Sequence, residues 1–369
     1  MDIHRLLEIT IEKGASDLHL KAHTAPVLRI DGVIAPIMGE SPLMPEEILQ
    51  ALEDITTLNQ RERFHDELEL DFTYSYAELA RFRVNASLQR GSISLSLRCV
   101  PVEVPTIEQF GLPDVCRTLA LLPRGLVLVT GPTGCGKSTT LAAMIDYLNE
   151  RETKTIVCIE DPVEYLHKDK RCFITQRELG GDTRSFATAL IHAFRQDPDV
   201  IMVGEMRDLE TIATAITAAE TGHLVLSTLH TIGAAATIDR IVDIFPPYQQ
   251  PQIRSQLAFT LQAVLSQVLL PRAEGGGRIA AFEIMLNSYA MSNLIRESRT
   301  HEIPSLLETN NKQGMQTLDQ GLEDLAKARL VTLDEAIARA HRPKQMKRRL
   351  LNTALEAEEA HDLLLSSRL

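Results

Sequence analysis

Apolar residues Ile3, Leu6, Leu7 and Ile11 fall on one face of a helix, and Gly14 ends it. The period then changes. Leu18-His19-Leu20 and Val27-Leu28-Arg29-Ile30 alternate, Asp31-Gly32 supplies a turn, and Val33-Ile34 follows, which predicts a hairpin. A helix is expected after Pro45, then strands over Leu70–Tyr76, Arg81–Gln89 and Ile93–Val100. This order predicts an α+β domain with an antiparallel sheet over residues 1–100.

Residues 101–116 carry Pro101, Pro105, Gly111 and Pro113 and read as a linker. Beyond it, apolar runs at Leu126–Thr130, Thr155–Ile159, Val200–Val203 and Leu224–Thr228 alternate with helical segments. That pattern predicts a parallel sheet covered on both faces, hence an α/β domain over residues 117–343. The stretch Leu257–Leu270, interrupted by Gln262, Ser266 and Gln267, reads as a buried helix, and the chain after about residue 270 as mostly helical. Residues 344–369, opening with Lys344-Gln345-Met346-Lys347-Arg348-Arg349, read as a charged amphipathic helical tail. There is no internal repeat.

Composition narrows the partners. Lys and Arg number 38 against 50 Asp and Glu, a net charge of −12. Ten basic and 18 acidic residues fall in positions 1–112, so the first domain carries much of the excess. A net acidic chain is a poor coat for nucleic acid, and with 4% aromatics and no Trp it has few platforms for stacking bases. The 5 cysteines, Cys99, Cys116, Cys135, Cys158 and Cys172, form no C-x-x-C pair, which speaks against a disulfide framework or a zinc site. The charged N-terminus has no signal-peptide core, and no run is long and apolar enough for a membrane span. A cytoplasmic chain is expected.

The sharpest chemical signal is Gly131-Pro-Thr133-Gly134-Cys135-Gly136-Lys137-Ser138, which fits G-x-x-x-x-G-K-[ST] between a strand and a helix. Glycines there let backbone N–H groups close around phosphates without side-chain clash. Lys137 is placed to neutralise β/γ-phosphate charge and Ser138 to ligate Mg²⁺, with Thr139 next in line on the helix. Cys135 is either a small neutral filler or, because helix N-termini lower thiol pKa values, an oxidisable thiol.

Such a loop needs a carboxylate to hold Mg²⁺ and orient water. Glu205 ends the strand Asp199–Val203, one residue after the usual acidic position, which is Gly204 here. Glu160, Asp161 and Glu164 follow the strand Thr155–Ile159, at the edge of an α/β sheet where ligands gather. His223 and His230 bracket a third strand. Beside a γ-phosphate, a histidine can report nucleotide state by hydrogen bonding.

Together these segments resemble the secretion ATPase superfamily. Gly131–Thr139 is similar to its Walker A box, Glu160–Glu164 to its Asp box, Asp197–Asp208 to its Walker B box and Thr221–Thr231 to its His box. Within the superfamily, Gly14–His19, Arg81–Asn85, Gln89–Gly91, Phe245–Pro247, Ala281–Ile284 and Gly314–Thr317 resemble the type IV pilus retraction ATPases. The resemblance spans residues 1 to about 342. It implies a PAS-like N-terminal domain before a RecA-like ATPase domain, assembled as a homo-hexamer on the cytoplasmic face of the inner-membrane pilus platform protein, without membrane insertion. ATP and Mg²⁺ are the implied cofactors. Glu205 is the implied catalytic acid, Glu164 the implied acid near Mg²⁺, and Arg81, Arg83 and Arg98 the implied phosphate-reaching arginines, a role suited to a permanent, forked charge.

One segment departs from that family. Its retraction motif reads Ala-Ile-Arg-Asn-Leu-Ile-Arg-Glu, and here Met291 and Ser292 replace the Ile and Arg of Ala290–Glu297. The resemblance ties that motif to retraction rather than hydrolysis. The expected function is an ATP-driven retraction motor. The alternatives are a pilus assembly or type II secretion ATPase, disfavoured by the missing four-cysteine insert and shorter length, and an accessory retraction ATPase or non-hydrolysing adaptor working with a paralogue.

Overall fold

The computed structural model describes residues 1–351 except Asp31, 77–79, 101–103 and 311–313. Asp31 of the expected turn, the start of the expected linker and tail residues 352–369 therefore lie outside the described residues. Two compact units are present: Met1–Val104 with Pro162–Leu166, and Pro105–Asp161 with the chain from His167 onward.

The first unit is built on a six-stranded antiparallel sheet. Its strands are β1 (Asp17–Lys21), β2 (Val27–Ile30), β3 (Val33–Pro36), β4 (Glu69–Tyr76), β5 (Ala80–Gln89) and β6 (Ser92–Val100), in the order β3-β2-β1-β6-β5-β4. Alternation decides which face is buried: Phe82, Val84 and Ala86 of β5 and Leu95 and Leu97 of β6 point into the core. The opposing helices Ile3–Glu12 and Pro45–Asp54 fill it with Ile3, Leu6, Leu7, Ile48, Ala51 and Leu52. Asp2 starts the first helix by accepting from the backbone N–H groups of His4 and Arg5. An additional helix, Leu58–Glu67, buries only Phe64, too thin a stripe for periodicity to reveal.

The second unit holds seven strands: β7 (Gly125–Thr130), β8 (Thr155–Glu160), β9 (Phe173–Glu178), β10 (Val200–Val203), β11 (Leu224–Leu229), β12 (Leu261–Pro271) and β13 (Arg278–Leu286). Their order is β13-β12-β7-β11-β10-β8-β9, and all but β13 run parallel. Two apolar layers cover the sheet. Leu126, Leu128, Val157 and Val225 face one layer, while Val127, Val129, Cys158 and Leu226 face the other. The chain leaves β7, crosses to β8 through the helix Lys137–Arg151, and later places β11 and β12 on either side of β7. β7 is thus the switch point where α/β sheets bind ligands.

The expectation for Leu257–Leu270 is corrected. The helix Gln250–Thr260 stops at Thr260, and Leu261–Pro271 is strand β12, paired with β7 on one side and β13 on the other. β13 likewise corrects the expectation of a mostly helical chain beyond residue 270. A strand buried on both faces lacks alternation, so its apolar run looks the same as a buried helix. The helices that follow pack Leu318, Leu322, Ala336, Met346 and Leu350 against Leu270 and Ile279. Residues 343–351, the described start of the expected tail, are helical.

Candidate nucleotide site

The P-loop connects β7 to the helix Lys137–Arg151 at the C-terminal edge of the parallel strands. Two of its glycines are forced. At Gly131, φ is +137° and a Cβ would lie 2.3 Å from the Gln267 carbonyl oxygen; at Gly136, φ is +91° and a Cβ would meet Phe110 Cζ at 3.1 Å. Thr133 and Gly134 are exposed at the loop tip, and Ser138 and Thr139 sit half-buried on the first helical turn. Lys137 is buried, and its ammonium donates to the carbonyl oxygens of Gly131 at 2.9 Å and Pro132 at 3.1 Å.

Lys137 Nζ also stands 3.5 Å from His230 Nδ1, and His230 Nε2 stands 3.3 Å from Glu205 Oε2. An ammonium can only donate and a carboxylate only accepts, so the ring sits between a donor on its Nδ1 side and an acceptor on its Nε2 side. Glu205 is mostly buried and also pairs with Arg207 Nε at 2.8 Å. Arg207 lies inside the Asp197–Asp208 box of the sequence expectation but is given no role there.

Gly204 explains why the acid comes one residue late. A Cβ at Gly204 would lie 3.3 Å from the Ile159 carbonyl oxygen and 3.4 Å from Glu160 Cα. β10 passes so close to the end of β8 that a side chain at the usual acidic position would have to push its neighbours back by a few tenths of an ångström. Glu160 itself is buried and accepts from Gln176 Nε2 of β9 at 2.9 Å. Asp161 is exposed just beyond β8. Glu164 falls in the segment Pro162–Leu166, which groups with the first unit.

His223 is not brought to this site. It precedes β11 at the far end from the P-loop, about 23 Å from His230 at the usual rise per strand residue. There its Nδ1 meets the Ala218 carbonyl at 2.9 Å and its ring packs edge-on to Phe194. The pair of histidines looks symmetrical in sequence, but a parallel strand puts only its C-terminal end at the ligand edge.

Arg81, Arg83 and Arg98 share one face of the first unit's sheet, with Arg83 directly opposite Arg98. Arg98 Nε donates to Asp17 at 2.9 Å. Burial works against the Asp17 carboxylate, but hydrogen bonds from Arg98 and Ser16 outweigh it and hold its pKa below the usual range. Cys135 is buried, and burial pushes its thiol up despite nearby Lys137. That environment favours the neutral filler over the reactive thiolate.

The donor set suits a hard cation. Ser138 offers a hydroxyl and Glu205 a carboxylate, both oxygen donors of the kind such an ion prefers. Among the described residues no group of three or more His, Cys, Asp or Glu could hold a metal by itself.

Sequence reasoning missed several polar side chains that tie this edge together. Gln267 bonds both Thr140 and Cys135, Ser266 Oγ accepts from Gly233 N–H at 2.9 Å, and Glu283 Oε1 accepts from Ala234 N–H at 2.7 Å. Each lies in or beside an apolar run, and each partner is far away in sequence.

Residues 1–276 match the family described as Type II/IV secretion system protein. A Type IV pilus retractation ATPase PilT of Pseudomonas aeruginosa is 48% identical over 344 residues, covering 93% of this chain and 99% of that protein. A Type IV pilus ATPase PilU of the same organism is 40% identical over 361 residues, 98% of this chain and 94% of that one. A crystal structure of the pilus retraction motor PilT with bound ADP superposes with a TM-score of 0.89 at 46% identity, covering 94% of this chain and 99% of that chain.

Proposed function

Because this chain belongs to the type II/IV secretion system protein family, we propose that it is a type IV pilus retraction ATPase, a P-loop enzyme that couples ATP hydrolysis to the withdrawal of pilin subunits. The observation that carries the chemistry is the contact chain Lys137–His230–Glu205, formed where β7, β10 and β11 end together.

In the proposed reaction, water attacks the γ-phosphate in line with the leaving β-phosphate oxygen. Glu205 accepts a hydrogen bond from that water and polarises it. Lys137 and the loop N–H groups stabilise charge developing on the phosphate oxygens. Bound magnesium would neutralise β/γ charge, with Ser138 and the carboxylates of Glu205 and Glu164 as the residues to hold it. Gly131, Thr133, Gly134, Cys135, Gly136 and Thr139 complete the phosphate cradle, with Glu160 and Asp161 at its rim. Arg81, Arg83 and Arg98 are the proposed source of additional phosphate contacts. His223 has no part in this reading.

We further propose a homo-hexamer at the cytoplasmic face of the inner membrane, acting on the pilus platform protein and working with a paralogous retraction ATPase. Among the described residues no helix is long and apolar enough to cross a membrane. The proposed domain plan is a PAS-like domain to residue 100, a linker over 101–116 whose part from Pro105 packs as helices into the second unit, the motor over 117–343 and a tail over 344–369. One observation favours an accessory retraction role as a second reading: Ser292 stands where the retraction family has Arg.

Two measurements test the proposal. Steady-state ATP turnover must be present in the wild type and collapse in Glu205→Gln. Deletion in the host must leave more surface pili and no twitching; bald cells would mean assembly instead.

A further inference from the structure

Gln267 lies in the middle of β12, wholly buried, and both ends of its side-chain amide are committed to the P-loop element. Its Oε1 accepts from the Thr140 hydroxyl at 2.8 Å, on the first turn of the helix Lys137–Arg151. Its Nε2 donates to the Cys135 carbonyl at 2.5 Å. Its own carbonyl oxygen is the atom that forbids a side chain at Gly131, and its Nε2 is 3.2 Å from where a Gly136 Cβ would lie. One residue therefore touches the entrance, the far side and the exit of the loop.

The Cys135 contact has a directional consequence. In a trans peptide the C=O and the following N–H point opposite ways. Holding the Cys135 carbonyl against Gln267 turns the Gly136 N–H away from β12 and into the loop. The Thr140 contact fixes the axis of the helix whose first turn supplies Lys137 and Ser138.

We propose that Gln267 is a positioning residue for nucleotide: it sets the orientation of the P-loop N–H groups and so the affinity for the phosphates of ATP and ADP. This rests on the ATPase reading above. A residue serving only to satisfy buried polar groups would change the stability of the protein and leave nucleotide affinity alone.

The test uses the full chain. ATP dependence of hydrolysis and ADP binding by calorimetric titration are measured for wild type, Gln267→Leu, Gln267→Glu and Thr140→Val. Gln267→Leu is expected to raise both the KM for ATP and the Kd for ADP about tenfold, with kcat per bound nucleotide changing less than about threefold. Gln267→Glu retains an acceptor for Thr140 but, once its carboxyl is ionised at alkaline pH, has no donor for Cys135, and is there expected to show the same rise. Thr140→Val keeps the Cys135 contact and is expected to shift both values about two- to threefold. If Gln267→Leu does not fold, the other two variants carry the test. Folded Gln267 variants with KM and ADP affinity within twofold of wild type overturn the proposal, whatever their melting temperatures. Absent turnover in the wild type would overturn the ATPase reading instead, and ADP titration would still decide the role of Gln267.

Discussion

The imidazole Nδ1 of His230 lies 3.5 Å from the ammonium of Lys137, which joins the end of β11 to the P-loop through a single ring. The other ring nitrogen reaches Glu205. Removing the ring uncouples the proposed phosphate-binding lysine from the proposed water-activating acid. We expect His230→Ala to lower kcat by about tenfold or more, with a smaller change in KM, because the lost contacts bear on the reacting γ-phosphate rather than on general binding. Steady-state kinetics checks this; an unchanged kcat removes His230 from the mechanism.

The close approach at Gly204 predicts that the more usual acid cannot simply be restored. Gly204→Asp drives a Cβ toward the Ile159 carbonyl and adds a carboxylate beside buried Glu160. A loss of about 1–3 kcal/mol is expected from overpacking, before any like-charge repulsion. Urea denaturation measures it, and a variant as stable as wild type would show that β8 and β10 can separate without cost.

His167 predicts acid sensitivity. Burial pushes its pKa down to about 4, with Asp146 opposing and Lys170 assisting, and its Nδ1 has no hydrogen-bond partner. The folded chain thus keeps the ring neutral where the unfolded chain, with a histidine near 6.5, takes up a proton. The resulting stability is full above pH 6.5 and is lost as pH falls toward 4. Because the ring is only partly enclosed, the loss is of order 1–3 kcal/mol. Denaturation midpoints of wild type and His167→Gln are expected to converge as the pH is lowered through that window. A constant difference would place the cause of acid sensitivity elsewhere.

The departure at Met291-Ser292 is accommodated by packing. Met291 is fully buried, and Ser292 Oγ donates to the Ala258 carbonyl at 2.7 Å with Asn287 Oδ1 at 3.0 Å. Ser292→Ala is expected to cost about 1 kcal/mol, the worth of one such bond. ATP turnover is expected to stay at the wild-type rate, since these partners lie on the helix Gln250–Thr260 and its neighbouring turn rather than on the P-loop. A fall in turnover would tie this segment to hydrolysis.

Four sequence boxes were legible because each joins a strand end to a residue type with one obvious task. The P-loop, Glu205 and His230 do meet, as a parallel sheet requires of three C-terminal strand ends. His223 was misread because spacing along a strand carries no statement about which end is wet. Gln267, Ser266 and Glu283 were illegible for another reason. A polar residue inside an apolar run reads as a flaw in a helix until the strand is paired, and its partners lie 33 to 132 residues away. β12 was lost with them, since burial on both faces erases the alternation that identifies a strand.

The placement of β12 also bears on how such a molecule would behave under tension. Its pairing with β13 runs without a register shift from Ala263 to Pro271, and its other edge is joined to β7 from Leu261 to Ser266 with one shift in register between Leu261 and Ala263. A pull directed along these strands strains that whole set at once, in shear, whereas a pull across them would open the bonds one after another like a zipper. The strand that holds the P-loop is therefore set lengthwise between two paired neighbours, so a load along it would act on both seams at once and on the loop through them.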